Sequence, residues 1–306
     1  MQRALDSVFR QTFRDFHIYA VDDGSTDQTL RILQANAQRC SSISQPHAGP
    51  AAARNRALRI SKSRFIAFLD ADDEWLPAKL ERQIELLNKQ PDIGLACSHY
   101  FLNESPNETP RLFPMQRPSA GQLFDSLARN CFISTPTVVI RRNCLDEVGL
   151  FRESLPVSED FNLWLRIAAR WRVSWLQEPL AIVHKHPLSL SGTVPDGERL
   201  RTGIVALQDV KASCGELSPS ELNSLHLALA ERFYFYGSFL LKTGEAHDSR
   251  SALSSALRFQ PSHWRAMAKF ALSYLPARLS RPLMSLKTKF RRNSQADCER
   301  INCGAW

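Results

Sequence analysis

The apolar run Phe65 to Leu69 ends abruptly in Asp70-Ala71-Asp72-Asp73, after which Leu76, Leu80, Ile84 and Leu87 recur at helical spacing. That order restricts the fold sharply. A short continuous apolar run reads as a strand covered on both faces, as in parallel sheets flanked by helices. Carboxylates at the C-terminal edge of such a strand stand where open α/β sheets bind ligands. Three acids within four residues repel one another, so a divalent cation or other positive groups are expected to offset them. A metal-bound phosphate compound fits this chemistry. Taken alone, the cluster fits a polar loop capping the next helix equally well.

Other stretches repeat the unit of strand, acidic turn and helix. Ile18 to Val21 is a short buried strand ending in Asp22-Asp23-Gly24, and Ser25-Thr26-Asp27 starts a helix carrying Leu30, Leu33 and Ala37. Before it, Leu5, Val8 and Phe9 share a helical face, with no strand ahead of them. A turn at His47 to Pro50 leads into a helix over Ala51 to Ile60. Further on, Gly94 to Ser98, Thr137 to Ile140 and Leu180 to Val183 read as extended. Ser105 to Pro118 reads as a loop, and Phe161, Trp164, Leu165 and Ala168 line a helix. Strands alternating with helices predict α/β layers. After Gly192 only helical patterns remain. Gly237, Gly244, Ala256 and Pro261 fall where a tetratricopeptide unit places its small residues and proline, but stacks need three or more units. Residues 193–275 are therefore read as a helical appendage with one such unit.

The net charge of +8 is concentrated beyond Pro276, where seven Lys and Arg face only Asp297 and Glu299. Without an aromatic platform, that charge argues against nucleic acid as a partner. Residues 276–306 form a basic tail, and the mixture of Leu, Met and Phe with Arg and Lys over Leu275 to Phe290 suits peripheral contact with an anionic membrane face. A solvated end is the plain alternative. No window approaches the roughly 20 apolar residues of a membrane span. Seven cysteines without zinc-like spacing, an odd count and no secretory signal lead to the expectation of a cytoplasmic protein, in contact with the inner face of the plasma membrane if the tail binds it.

Five ordered motifs together resemble glycosyltransferase family 2: Val21 to Asp27, Ala51-Ala52-Ala53-Arg54-Asn55, Leu69 to Asp73, Ser158-Glu159-Asp160 before Phe161-Asn162-Leu163-Trp164, and His186 to Ser191. The resemblance covers about residues 4 to 191. It implies a GT-A, Rossmann-like domain over residues 1–192 and a nucleotide-sugar donor, a UDP-sugar first among them. It further implies a divalent cation (Mn or Mg) and inverting transfer to a saccharide or lipid-linked acceptor in cell-surface polysaccharide assembly. By the same resemblance Asp22 and Asp23 meet the nucleotide base, Arg54 its phosphates or base, and Asp70 the ribose or the metal's surroundings. Asp72, Asp73 and His186 hold the metal, and Asp160 is the general base that takes the acceptor's proton. Glu159 and Trp164 orient the acceptor. Against these roles stand helix capping for the acids, a solvated helix position for Arg54 and a core position for Trp164.

The pattern departs from the family at its start. Members begin with an apolar strand and a Pro-Thr-Tyr-like loop, which this sequence lacks. That strand would lie between Ile18–Val21 and Phe65–Leu69, so its loss leaves central backbone groups unpaired at about 1–3 kcal/mol each. The domain is accordingly read as N-terminally truncated, with a start assigned downstream of the true one. The competing reading is an inactive glycosyltransferase-like protein that serves as a binding module. Nucleotidyl transfer is disfavoured because no glycine-rich basic loop is seen near the start.

Overall fold

A computed structural model describes residues 1–105, 109–113, 123–185, 189 and 193–275. The chain forms two compact units, one of Met1–Leu123 with Ile133–Thr193, the other of Phe124–Phe132 with the residues from Val194 onward. The second unit thus borrows a segment from the middle of the first, which the sequence pattern does not foresee.

In chain order, the first unit contains α1 (Gln2–Phe9), β1 (Tyr19–Asp22), α2 (Thr29–Ala35), β2 (Ser41–Ser44), α3 (Pro50–Ile60), β3 (Phe65–Ala67), β4 (Glu74–Trp75), α4 (Lys79–Lys89), β5 (Ile93–Asn103) and β6 (Arg111–Phe113). After α5 (Leu123–Arg129), most of which belongs to the second unit, come β7 (Val139–Arg141), α6 (Arg142–Val148), α7 (Glu159–Ala168) and β8 (Arg172–His184). One sheet has the order β3-β7-β5-β8-β4, with β6 against β5. Only β5 and β8 pair in parallel; the other pairings in it are antiparallel, so the sheet is mixed. Its core gathers Trp75, Leu80, Leu87, Ile93, Ala96, Tyr100, Val139, Ala181 and Val183. Two strands carry no hydrophobic signature. β2 is Ser-Ser-Ile-Ser with three exposed residues, and β4 is two residues long.

Polar side chains lock α1 onto this sheet. The Ser7 hydroxyl accepts from the Trp75 amide at 3.0 Å, and buried Gln11 donates to Leu76 O while accepting from the Leu80 amide. Lys79 is fully buried; burial holds its ammonium well below its usual pKa, and its Nζ donates to Val138 O at 2.9 Å.

β1 and β2 form a separate parallel pair. Ser41 and Gln45 donate to Ile18 O and Asp22 O, so the two-residue period turns Tyr19 and Val21 away from β2. On β3, Arg64 O accepts from Arg142, which likewise turns Phe65 and Ala67 away from β7. Among the described residues no strand pairs with those outward edges.

The second unit is helical: α8 (Asp196–Ser213), α9 (Pro219–Thr243), α10 (Ala246–Phe259) and α11 (Trp264–Leu272). A capping box of Ser218 and Glu221 with Pro219 starts α9, and Gly244 ends it at φ +97. The α9–α10 hairpin is tight at Gly237, where a Cβ would stand 2.7 Å from Leu253 Cγ and 3.1 Å from Ser249 O.

Amide exchange followed by NMR is expected to be faster at Tyr19, Val21, Phe65 and Ala67 than at Ala20 and Ile66; equal protection across each strand would mean that both edges are paired. Gly237→Val is expected to lower stability by about 1–3 kcal/mol in urea unfolding, the usual cost of overpacking.

Candidate active site

β1, β3, α3 and α7 bring the sequence motifs together. The apolar run of β3 delivers Asp70 to a turn closed by the Asp73 amide donating to Asp70 O at 3.1 Å. From α3, Arg54 reaches two of the motifs at once. Its Nη2 donates to Asp70 Oδ1 and its Nη1 to Glu159 Oε1, both at 2.7 Å. The guanidinium also lies 5.4 Å from the Phe151 ring centroid. Burial works against its charge, but Asp70, then Glu159 and then Asp160 outweigh that and hold its pKa above the ordinary arginine value. The turn containing Asp72 and the start of α7 containing Asp160 therefore share one charged cluster.

Asp160 is aimed by its backbone. Ser158, before α7, has φ +67, a left-handed conformation that serine rarely adopts. Asp160 Oδ1 accepts from the Phe161 amide and Oδ2 from the Thr135 hydroxyl at 3.2 Å. Poor solvation first, and the adjacent Glu159 second, push its carboxyl up to about 7, against the pull of Arg54 and the two hydrogen bonds. A carboxyl poised near neutrality can take or give a proton.

The acids at the end of β1 divide their work. Asp23 accepts from Gln45 Nε2 and the Ala48 amide through Oδ1 and from the Gly49 amide through Oδ2, with His47 Nδ1 3.0 Å from Oδ2. Burial would raise its pKa, but these hydrogen bonds and His47 lower it. Asp23 thus fastens the turn that begins α3. Buried Asp22 accepts from the Ser25 amide through Oδ1, and its Oδ2 has no hydrogen-bond partner among the described residues. Base contact is accordingly better suited to Asp22.

Of the expected metal ligands, Asp72 is partly exposed, whereas Asp73 is 4% exposed and accepts from the His184 amide at 2.8 Å. Burial, then Asp70, and further on Asp72, push the Asp73 carboxyl up to about 8. Asp73 thus points into β8, a framework position, and burial more than its acidic neighbours keeps its carboxyl from ionising readily. His186 lies outside the described residues, as do residues 276–306. Among the described residues no three His, Cys, Asp or Glu side chains form a ready metal cluster. The hard oxygen donors of Asp72 and Asp70 suit Mn or Mg, ions that take part of their shell from phosphate oxygens and water.

Two residues expected at the acceptor are buried. Trp164 is fully buried and packs against Phe68 and Phe151, at ring separations of 6.4 and 6.0 Å, so its ring faces the core. Glu159, 6% exposed, spends a carboxylate oxygen on Arg54 and acts through it. The sequence reading also passed over Asn55 and Thr135. Asn55 exchanges hydrogen bonds with Phe151 backbone and donates to Glu153, pinning the loop ahead of α7 to α3. Its place beside Arg54 was a local signal; Thr135 had none.

The family model described as Glycosyl transferase family 2 matches residues 1–149. An uncharacterized glycosyltransferase of Rickettsia typhi is 26% identical over 221 residues, 69% of this chain and 65% of that protein. The UDP-Glc:alpha-D-GlcNAc-diphosphoundecaprenol beta-1,3-glucosyltransferase WfgD of Escherichia coli is 32% identical over 166 residues, 54% of this chain and 62% of that protein. The chain spans less than two thirds of the length of either relative. Among solved structures, S. aureus TarS 1-349 in complex with UDP superposes with a TM-score of 0.64 at 20% identity, over 89% of this chain and 84% of that one. The mannosyltransferase PcManGT from Pyrobaculum calidifontis, in complex with GDP-Man and Mn2+, gives 0.59 at 16% identity, over 98% of this chain and 78% of that one. The fold is GT-A with a helical C-terminal region.

Arg54→Ala is expected to cost about 3 kcal/mol in denaturant unfolding, because it strands carboxylates in a poorly solvated place. Trp164→Ala is expected to cost about 3–5 kcal/mol as a core truncation. If Trp164→Ala instead unfolds like the unaltered chain, the ring is not part of the core.

Proposed function

We propose, from the match of the Glycosyl transferase family 2 model to residues 1–149, that this chain moves a sugar from a nucleotide-diphosphate donor to an acceptor hydroxyl with inversion at the anomeric carbon. The observation that carries this reading is the Asp70–Arg54–Glu159 bridge, which sets Asp160, poised near neutrality, within the same cluster as the acidic turn. In the proposed step Asp160 takes the acceptor proton while the acceptor oxygen forms its bond to the anomeric carbon. The bond from that carbon to the diphosphate breaks, and its electron pair leaves with the nucleotide. Inversion follows because attack and departure occur on opposite faces.

Asp22 receives an N–H of the base, and Arg54 and Asp70 line the nucleotide's path. A UDP-sugar is the proposed donor, supported by TarS structures with UDP and UDP-GlcNAc. Mn or Mg would sit at Asp72, with Asp70 close by, where its Lewis acidity offsets the charge of the leaving diphosphate. A saccharide on a lipid diphosphate is the proposed acceptor, supported by the name of the Escherichia coli relative, with the work done at the inner face of the plasma membrane in surface polysaccharide assembly.

Asp160→Asn is expected to lower turnover by about 10²–10⁴ while leaving UDP affinity unchanged in calorimetry. Unchanged turnover would remove Asp160 from the chemistry. Since Asp160 must be ionised to act, kcat/KM is expected to rise with pH through about 7 and then level; a profile flat across neutrality would remove Asp160 as the base. Stability carries the opposite sign. A carboxyl raised above its unfolded value favours the folded chain while protonated and penalises it once ionised, so Asp160→Asn is expected to raise the melting temperature above that pH. Adding Mn with UDP is expected to raise it also, and Asp72→Ala to abolish the part due to Mn.

A further inference from the structure

The last helix of the second unit presents a surface that sugar transfer does not use. Eight large hydrophobic side chains are exposed among the described residues, and half of them fall between Trp264 and Leu275. Trp264 and Tyr274 are 64% and 65% exposed. Helical geometry explains the division of labour within α11. Ala266, Phe270 and Ser273 turn inward, Ala266 and Phe270 onto a cluster containing Tyr234, Leu253 and Ala256. At 100° per residue, Trp264 and Met267 form a neighbouring stripe turned to solvent, which Tyr274 and Leu275 extend past the helix end.

Positive charge meets that stripe at Arg250 and lies further round the helix at Arg265 and Lys269. Arg265 and Lys269 lie over the Tyr234 ring, 4.6 and 4.9 Å from its centroid. Arg250 lies 5.0 Å from the Tyr274 ring centroid and donates to Ser273 O. Among the described residues none of these three, nor Lys242, has a carboxylate within ion-pair distance. Burial first lowers the Lys269 pKa, the Tyr234 hydroxyl opposes that, and Lys242 and Arg265 add to the lowering.

We propose that this face of α11 docks on an anionic phospholipid surface, with Trp264, Met267 and Tyr274 at headgroup depth, Arg250 beside them against lipid phosphates, and Arg265 and Lys269 adding longer-range attraction to the leaflet. Tryptophan and tyrosine favour that depth, and a short helix with an apolar edge flanked by Lys and Arg lies flat in the interface. Each cation adds attraction to an acidic leaflet. A second copy of the chain is a poorer occupant, because an isologous contact would press the same cations together. The surface is formed by described residues ahead of the basic tail, and the inference holds whether or not the chain is catalytic.

The test uses the full chain, sedimented with vesicles of phosphatidylcholine alone or mixed with phosphatidylglycerol. Binding is expected only to the mixed vesicles, and to fall about tenfold or more when Trp264→Ser, Met267→Ser and Tyr274→Ser are combined. Arg265→Glu with Lys269→Glu is expected to weaken it as well. A tail variant with Lys287→Glu, Lys289→Glu, Arg291→Glu and Arg292→Glu is expected to keep most of the binding. Circular dichroism is expected to be unchanged in all three, since every altered residue of α11 is exposed or half-exposed. The proposal is overturned if the triple variant sediments like the unaltered chain, or if the tail variant alone abolishes binding. It is overturned equally if the patch proves to hold a dimer that the triple variant dissociates.

Discussion

Everything in the candidate site depends on one guanidinium. Arg54 is the cation that joins the acidic turn after β3 to the start of α7, and both carboxylates it binds come from parts of the chain far apart in sequence. Arginine suits the task because its planar fork offers several fixed donors and keeps its charge when desolvated. With that charge in place, Asp70 and Glu159 can stand close together. The same arrangement leaves the Asp160 carboxyl poorly solvated and beside Glu159, which together push it toward neutrality against the pull of Arg54. Like charges drawn to a single cation thus acquire different protonation behaviour, the usual means by which a site obtains acids of separate role.

Around this centre the loops are held by side chains bonding to backbone. Asp23 gathers the turn ahead of α3, and Asn55 ties the loop ahead of α7 to the same helix. Helix α3 is therefore the common support for the turn after β1 and for the loop ahead of α7. The left-handed Ser158 sits between the pinned loop and Asp160. A conformation of that kind persists only where its surroundings over-determine it, and here they do.

Periodicity and turn chemistry made most of the first unit legible, since α1, β1, α3, β3, α4 and α7 all follow from apolar spacing and their flanking residues. It failed where tertiary pairing alone creates the element. β2 is polar and half of β4 is Glu74, so neither strand exists without the neighbour that accepts its hydrogen bonds. The mixed direction of the larger sheet was equally hidden, because strand direction depends on how connections cross the fold. Trp164 shows the same limit at a single side chain. Its helical stripe was plain in the sequence, but which side of that stripe met the core was set by Phe68 and Phe151.

The sequence by itself determined which acids stand at strand ends, because a strand that stops being apolar must release its next side chains at the sheet's edge. It also determined the change to helices after Gly192, which rests on local propensity and spacing. Only the tertiary structure decided how the acids divide their roles. Asp23 and Asp73 became framework residues by binding backbone amides, Asp22 kept one carboxylate oxygen without a hydrogen-bond partner among the described residues, and Asp72 and Asp160 stayed partly exposed. The physical reason is that the motif residues are chemically alike along the chain. Their difference lies in desolvation and in the donors that distant segments bring to them, quantities that exist only once the chain has folded.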